Sequence, residues 1–162
     1  MKAPADVLEV FLQPGEFYFG EERTRIRTLL GSCVAVTLWH PRLKVGGMCH
    51  YMLPRRPRRK GWEAEPLDGR YAEDAMKMFQ REIDRTRTRT SEYWVKLFGG
   101  GRMFRFKNAL DERPTIAEAN IAWGRAAIAQ CGFGTPAEDL GGHGHRHVIL
   151  DLWSGDTWLK KA

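Results

Sequence analysis

Apolar and polar positions along the chain fall into runs of strand length, interrupted twice by a helical period. Val7 to Leu12 is apolar except at Glu9, and Pro14-Gly15 turns the chain after it. Phe17 to Phe19 fits a short strand or an ordered loop. Arg25 to Leu30 leads into Leu29-Leu30-Gly31-Ser32-Cys33-Val34-Ala35-Val36, a run without alternation, which is the pattern of a strand buried on both faces. His40-Pro41-Arg42-Leu43 reads as a turn, and Val45-Gly46-Gly47-Met48-Cys49-His50-Tyr51-Met52-Leu53-Pro54 as the strand returning from it. Gly46 and Gly47 inside that strand mark a bulge or a close backbone approach.

Pro54 to Asp68 is basic, proline-rich and aperiodic, and reads as a mobile loop. Asp68 is a candidate cap for a helix whose apolar face is Ala72, Ala75, Met76, Phe79 and Ile83, with Glu73, Asp74, Lys77, Arg81 and Asp84 turned outward. Tyr93 to Phe98 is strongly β-prone and ends in Gly99-Gly100-Gly101, where the missing Cβ atoms let another group approach the backbone. Arg102-Met103-Phe104-Arg105-Phe106 follows in place of the helix that a nucleotide-binding fingerprint needs, so the glycines read as a tight turn. Thr115-Ile116-Ala117-Glu118 is a capping box opening a second helix, with Asn120, Trp123, Ala127 and Cys131 near one face and Gly132 ending it. Val148 to Trp153 and Thr157 to Leu159 form a terminal hairpin around Ser154-Gly155-Asp156. The pattern predicts a mixed α/β fold with a largely antiparallel sheet and two main helices.

Composition narrows this. With 162 residues, 43% of them apolar, the chain has the size and core of one domain spanning 1–162. No run approaches the roughly 18 apolar residues of a membrane span, and Met1 to Asp6 lacks the apolar stretch of a signal peptide, so a cytoplasmic protein without membrane insertion is expected. Three cysteines, an odd number, show no disulfide framework or paired zinc pattern. The net charge of +6 is concentrated in Arg55 to Lys60 and Arg85 to Arg89, which favours an acidic partner. No aromatic-flanked RNA motif or helix-turn-helix pattern accompanies it, so nucleic acid is not the expected partner.

The candidate chemistry lies in the first two apolar strands. Pairing Trp39 with Lys44 sets Cys33 directly opposite His50, and opposed residues have Cβ atoms about 4.5–5.5 Å apart on one face. A free thiol, with a pKa near 8.5, is only a few per cent thiolate at neutral pH, and an adjacent imidazole activates it by accepting its proton. Such a dyad performs acyl transfer through a thioester. Backbone N–H groups near Gly31-Ser32-Cys33 or Gly99-Gly100 are candidates for stabilising the oxyanion. Cys49 points to the opposite face and reads as core. His143, His145 and His147 share a face if their segment is a strand, but no further ligand is fixed beside them, and neither a metal nor a cofactor is assigned. The bland alternative is a packed cysteine and a hydrogen-bonded histidine in a binding module without turnover.

These residues resemble the chemoreceptor glutamine deamidases of bacterial chemotaxis, the CheD family. The resemblance runs through Leu30 to Val36, Gly46 to Pro54, Tyr71 to Met76, Lys96 to Gly100 with Met103-Phe104, and Asp139 to Gly142, in the family's order. It implies a layered α/β sandwich and a cytoplasmic enzyme that hydrolyses glutamine side chains of methyl-accepting chemoreceptors to glutamate. Cys33 would be the nucleophile and His50 the base. It also implies a CheC-type phosphatase as a partner that competes with receptors; a non-catalytic adaptor binding either one is the alternative. The family's third catalytic residue can be a threonine six positions before the cysteine. Arg27 stands there, and Thr28, one step later, is the candidate; in a strand, one step reverses the face. Before the second helix, Ile116-Ala117-Glu118-Ala119-Asn120 lacks the glycine and arginine of the family's usual pattern. A basic rim beside His50 is expected to steer an acidic receptor surface into place.

Overall fold

A computed structural model describes residues 1–103 and 113–162. Nine strands and two helices are described: β1 (Leu8–Leu12), β2 (Phe17–Gly20), β3 (Thr24–Leu30), β4 (Val34–His40), β5 (Val45–Tyr51), α1 (Ala72–Arg85), β6 (Trp94–Gly99), α2 (Ile116–Gln130), β7 (Ala137–Leu140), β8 (Arg146–Asp151) and β9 (Thr157–Lys161). The strands form two sheets instead of one. Four pair in the order β1-β3-β8-β9 and five in the order β2-β5-β4-β6-β7. Only β1 with β3 and β6 with β7 run parallel, so the pairing is largely antiparallel, as the pattern predicts.

Burial explains the layering. Every residue of β4 is buried, and its alternate side chains serve two cores. Val34, Val36 and Leu38 join Phe79, Ile83 and Ile128 under the helices, whereas Ala35 and Trp39 join Leu12, Ile26, Leu30, Val148 and Leu150 between the sheets. The fold is thus helices on a five-stranded sheet on a four-stranded sheet, an α/β sandwich. The predicted apolar face of α1 is buried as read, but Asp74, expected outward, is buried too, because Arg56 from the proline-rich loop reaches it. Tyr71, not Asp68, is the residue at the start of α1. The capping box of α2 forms: Glu118 N–H donates to Thr115 Oγ1 at 3.1 Å, and Thr115 N–H to the Glu118 carboxylate at 3.3 Å.

The hairpin of β4 and β5 departs from the predicted register. His40 pairs with Val45 and Ala35 with His50, so the loop is Pro41 to Lys44 and Cys33 is not opposite His50. Lys44 takes the left-handed conformation at φ 54°, and its N–H donates to His40 O at 2.8 Å, closing the turn one residue later than read. No bulge interrupts the ladder from Val45 to Tyr51. Gly46 and Gly47 are instead sites of close approach: a Cβ there would meet the carbonyl oxygens of Leu38 and Tyr18. Arg146 begins β8, so His143 and His145 precede the strand and the three histidines do not form one strand face. Phe104 to Phe106, read as following the glycine turn, lies outside the described residues. Among the described residues, no helix is long and apolar enough to cross a membrane.

Candidate active site

The three candidate residues come from both sheets and from the link between them. Thr28 is in β3 of the four-stranded sheet, and His50 is in β5 of the five-stranded one. Cys33 sits on the crossing Gly31-Ser32-Cys33, where the chain leaves one sheet for the other. The displaced register moves Cys33 by two residues relative to His50. Two residues preserve the face, so both still point between the sheets, where Cys33 packs against the inter-sheet core. Carried one residue beyond Val34, the register would set them as diagonal neighbours, a relation that in a regular ladder spans about 7–8 Å.

Thr28 faces inward and is fully buried, while Arg27 faces out toward Glu9 at 3.4 Å. The one-step displacement along β3 therefore puts the hydroxyl, not the arginine, beside the imidazole. Thr28 Oγ1 lies 2.6 Å from His50 Nδ1 and donates its own proton to Leu12 O at 2.9 Å. A hydroxyl has one proton, so with that proton on Leu12 it meets Nδ1 as an acceptor. Nδ1 then carries the ring hydrogen, and Nε2 is left with its lone pair. Nε2 is buried and, among the described residues, makes no hydrogen bond. The main chain of His50 is also gripped: Gly15 N–H donates to His50 O at 2.8 Å, and His50 N–H to Glu16 O at 3.2 Å.

Electrostatics keep this pair neutral at rest. Burial lowers the pKa of His50 to about 4, with the Glu16 carboxylate opposing the shift. Burial also pushes the Cys33 thiol up. Burial thus disfavours the charged form of each group, and the arrangement suits a neutral imidazole that takes the proton as the thiol attacks. Cys49, under the helices, is pushed up to about 12 by complete burial, and Cys131 is raised by burial as well. Of His50, Thr28 and Cys33, only Cys33 is other than buried.

The glycine turn after β6 holds the crossing in place. Gly99 and Gly100 have φ of 113° and 65°. Gly100 N–H donates to Cys33 O at 2.8 Å and Gly101 N–H to Gly31 O at 2.9 Å. That commitment removes Gly100 from the candidate oxyanion donors. Among the described residues, the N–H groups of Ser32 and Cys33 have no such acceptor, which leaves the cysteine side of the turn for that task. Arg146, which sequence reading passed over, braces the turn from behind by donating to Gly99 O at 3.2 Å and Gly141 O at 2.6 Å while pairing with Asp139 at 2.8 Å. An isolated arginine at a strand start carries no signal of this.

The basic rim is mostly neutralised from within. Arg56 pairs with Asp74 and Glu65, Arg58 with Glu73, Arg59 with Glu65, and Arg70 with Asp68. Arg58 also lies 3.7 Å over the Trp62 ring. The segment is built into the surface by its own carboxylates, so its charge is far less than the run of arginines implies. Among the described residues, no group of three or more His, Cys, Asp or Glu is arranged to hold a metal.

Comparison with known proteins fits this geometry into a lineage. The family model described as CheD chemotactic sensory transduction matches residues 52–161. The chain belongs to the CheD family. Among relatives of this CheD chain, a protein of Pseudomonas savastanoi pv. phaseolicola named probable chemoreceptor glutamine deamidase CheD is 46% identical over 160 residues, covering 99% of this chain and 88% of its own. The probable chemoreceptor glutamine deamidase CheD 3 of Dechloromonas aromatica is 46% identical over 157 residues, covering 97% and 89%. The solved structure of the hypothetical protein YfiH of Bacillus licheniformis overlaps 78% of the CheD chain and 49% of its own at 9% identity and a TM-score of 0.45. The family-model match begins after Cys33 and His50.

Proposed function

We propose that this chain is a cytoplasmic protein-glutamine deamidase acting on methyl-accepting chemoreceptors, with Cys33 as nucleophile, His50 as general base and acid, and Thr28 holding His50 in the productive tautomer. Two things support the reading: near-full-length similarity to proteins named chemoreceptor glutamine deamidases, and the unpaired Nε2 of His50 on the face shared with Cys33. The second carries the mechanism: a buried polar nitrogen without a partner calls for an explanation, and of the three such histidine nitrogens among the described residues, in His40, His50 and His147, that of His50 lies on the face shared with Cys33.

In the first half-reaction Cys33 Sγ attacks the side-chain carboxamide carbon of a receptor glutamine. Its proton passes to Nε2, a C–S bond forms, and the negative charge on oxygen is met by the Ser32 and Cys33 N–H groups. Imidazolium then returns the proton to the leaving nitrogen, and ammonia departs. In the second half-reaction Nε2 takes a proton from water, hydroxide attacks the thioester, the C–S bond breaks, and the thiol regains its proton. The net change is glutamine plus water to glutamate plus ammonia. Thr28 stays at Nδ1 throughout and favours the imidazolium that forms twice in the cycle. A CheC-type phosphatase is the second partner in this reading, competing with receptors for the chain.

The test is mass spectrometry of receptor cytoplasmic fragments incubated with wild-type, Cys33→Ala and His50→Ala proteins. Wild type converts specific glutamines to glutamates and neither variant does. Conversion by Cys33→Ala protein would refute the assignment. An excess of CheC-type phosphatase lowers the wild-type rate; an unchanged rate removes that partner.

A further inference from the structure

Asn120 has no part in the chemistry above, yet its bonds lead to both halves of the site. It projects from α2 and is fully buried, at 0% exposure. Its Nδ2 donates to Met52 O at 2.9 Å and to Ser32 O at 3.3 Å. Ser32 immediately precedes Cys33, and Met52 lies two residues beyond His50. One amide group thus bridges the segment that carries the thiol and the segment that carries the imidazole, and ties both to the helical layer. The helix is held against the same strand by Tyr51, whose hydroxyl donates to Asn120 O at 2.6 Å. Gly124, one turn further on, leaves room for that hydroxyl where a Cβ would collide with it.

Packing alone does not account for this residue. Among the described residues the buried Asn120 Oδ1 atom has no hydrogen-bond partner, an unfavourable state that an apolar side chain of similar size would remove. What the amide offers in return is two N–H donors on one uncharged group, matched to two carbonyl oxygens. Aspartate offers neither when ionised, serine offers one, and leucine none. The crossing that bears Cys33 and the strand end that bears His50 belong to different stretches of chain, so a bridge between them bears on the separation of the two reacting side chains.

We propose that Asn120 is a positioning residue for deamidation, setting the separation of Cys33 Sγ and His50 Nε2 by tying Ser32 and Met52 together. The proposal rests on the Cys33–His50 reading of the site. It acts on the turnover step, because misplacing reacting groups by about 1 Å costs on the order of 100-fold in rate while substrate binding elsewhere on the surface is untouched.

Asn120→Leu and Asn120→Ala test it, with kcat and KM measured on a receptor cytoplasmic fragment and expressed per folded molecule. Both variants show KM within about twofold of wild type and kcat lower by about 100-fold. A second readout needs no receptor: iodoacetamide alkylation of Cys33 near neutral pH, followed by peptide mass spectrometry, slows in both variants to the rate of the His50→Ala protein. A kcat within about twofold of wild type, or alkylation as fast as wild type, would overturn the proposal. So would failure of both variants to fold, which would make Asn120 a core residue and nothing more. If wild type converts no receptor glutamine, the deamidase reading fails, while the alkylation comparison still decides whether Asn120 sets the thiol–imidazole pair.

Discussion

Thr28 Oγ1 and His50 Nδ1 stand 2.6 Å apart although the two residues belong to different sheets and are separated by 22 positions in the chain. The hydroxyl is itself anchored by Leu12 O, so the imidazole is oriented by a short relay that begins in β1. Thr28→Val keeps the shape and removes the relay. The variant stays folded, and kcat for receptor deamidation falls by about 10- to 100-fold. Thr28→Ser, which keeps Oγ, restores most of the loss. Equal rates for the Val and wild-type proteins would exclude a catalytic part for the hydroxyl.

The pH dependence follows from the buried imidazole. The folded value for His50, about 4, lies below its ordinary 6.5. Between these values the unfolded chain binds the proton and the folded chain resists it. The stability linked to neutral His50 is therefore complete above pH 6.5 and drains away as the pH falls through 4, by about 3 kcal/mol in all. Urea unfolding at neutral pH and at mildly acidic pH measures the slope, which is shallower in His50→Gln protein.

The same shift governs turnover. A neutral base is present well below the usual histidine range, so kcat/KM for wild type stays level as the pH is lowered through 6.5 and drops only on approach to 4. An acid limb centred at 6.5 would mean that His50 is solvated in the working enzyme.

Gly99→Ala strikes the crossing directly. Gly99 has φ 113°, and a Cβ there runs into the carbonyl oxygen of Cys33. The strain is about 1–3 kcal/mol, and relieving it moves the nucleophile, so the melting temperature drops and deamidation falls by tenfold or more, on the order of the loss expected for a misplaced group. Gly134→Ala is the control, since nothing lies within 4 Å of a Cβ at that position.

Asp74 is buried beneath Arg56, whereas Glu82 meets Arg85 on an exposed turn of the same helix. Asp74→Asn leaves the guanidinium with only the more exposed Glu65 as a charged partner and lowers the melting temperature clearly. Glu82→Gln shifts it by no more than about 2 °C. Similar effects from both would mean that the proline-rich loop is not pinned by the buried pair.

How much of this was legible in the chain varies by residue. β4 announced itself by unbroken apolarity, and α1 and α2 by their period and, for α2, its capping box. The hairpin register did not, because it turns on Lys44 entering the left-handed region, for which lysine gives no sign. That error moved the pairing by an even number of residues, and an even shift leaves every side chain on its own face. Cys33 and His50 therefore remained together in the reading despite the wrong partners. β7 leaves no mark in the pattern because Ala137–Leu140 is short, lacks alternation and takes its place only by pairing along β6. Asp74 and Arg56 were misjudged because a periodic pattern records which way a side chain points, not what arrives from elsewhere to meet it. Asn120 and Arg146 lie beyond sequence reading for the same reason: apart from the Asp139 carboxylate beside Arg146, their partners are carbonyl oxygens, which every residue has.

Cys33 occupies the seam where the chain passes from one sheet to the other, and His50 and Thr28 lie on opposite sides of the seam. No fragment of the fold assembles the site. Thr28 and His50 meet only where the two sheets close on each other, so the arrangement around Cys33 is complete only in the complete fold.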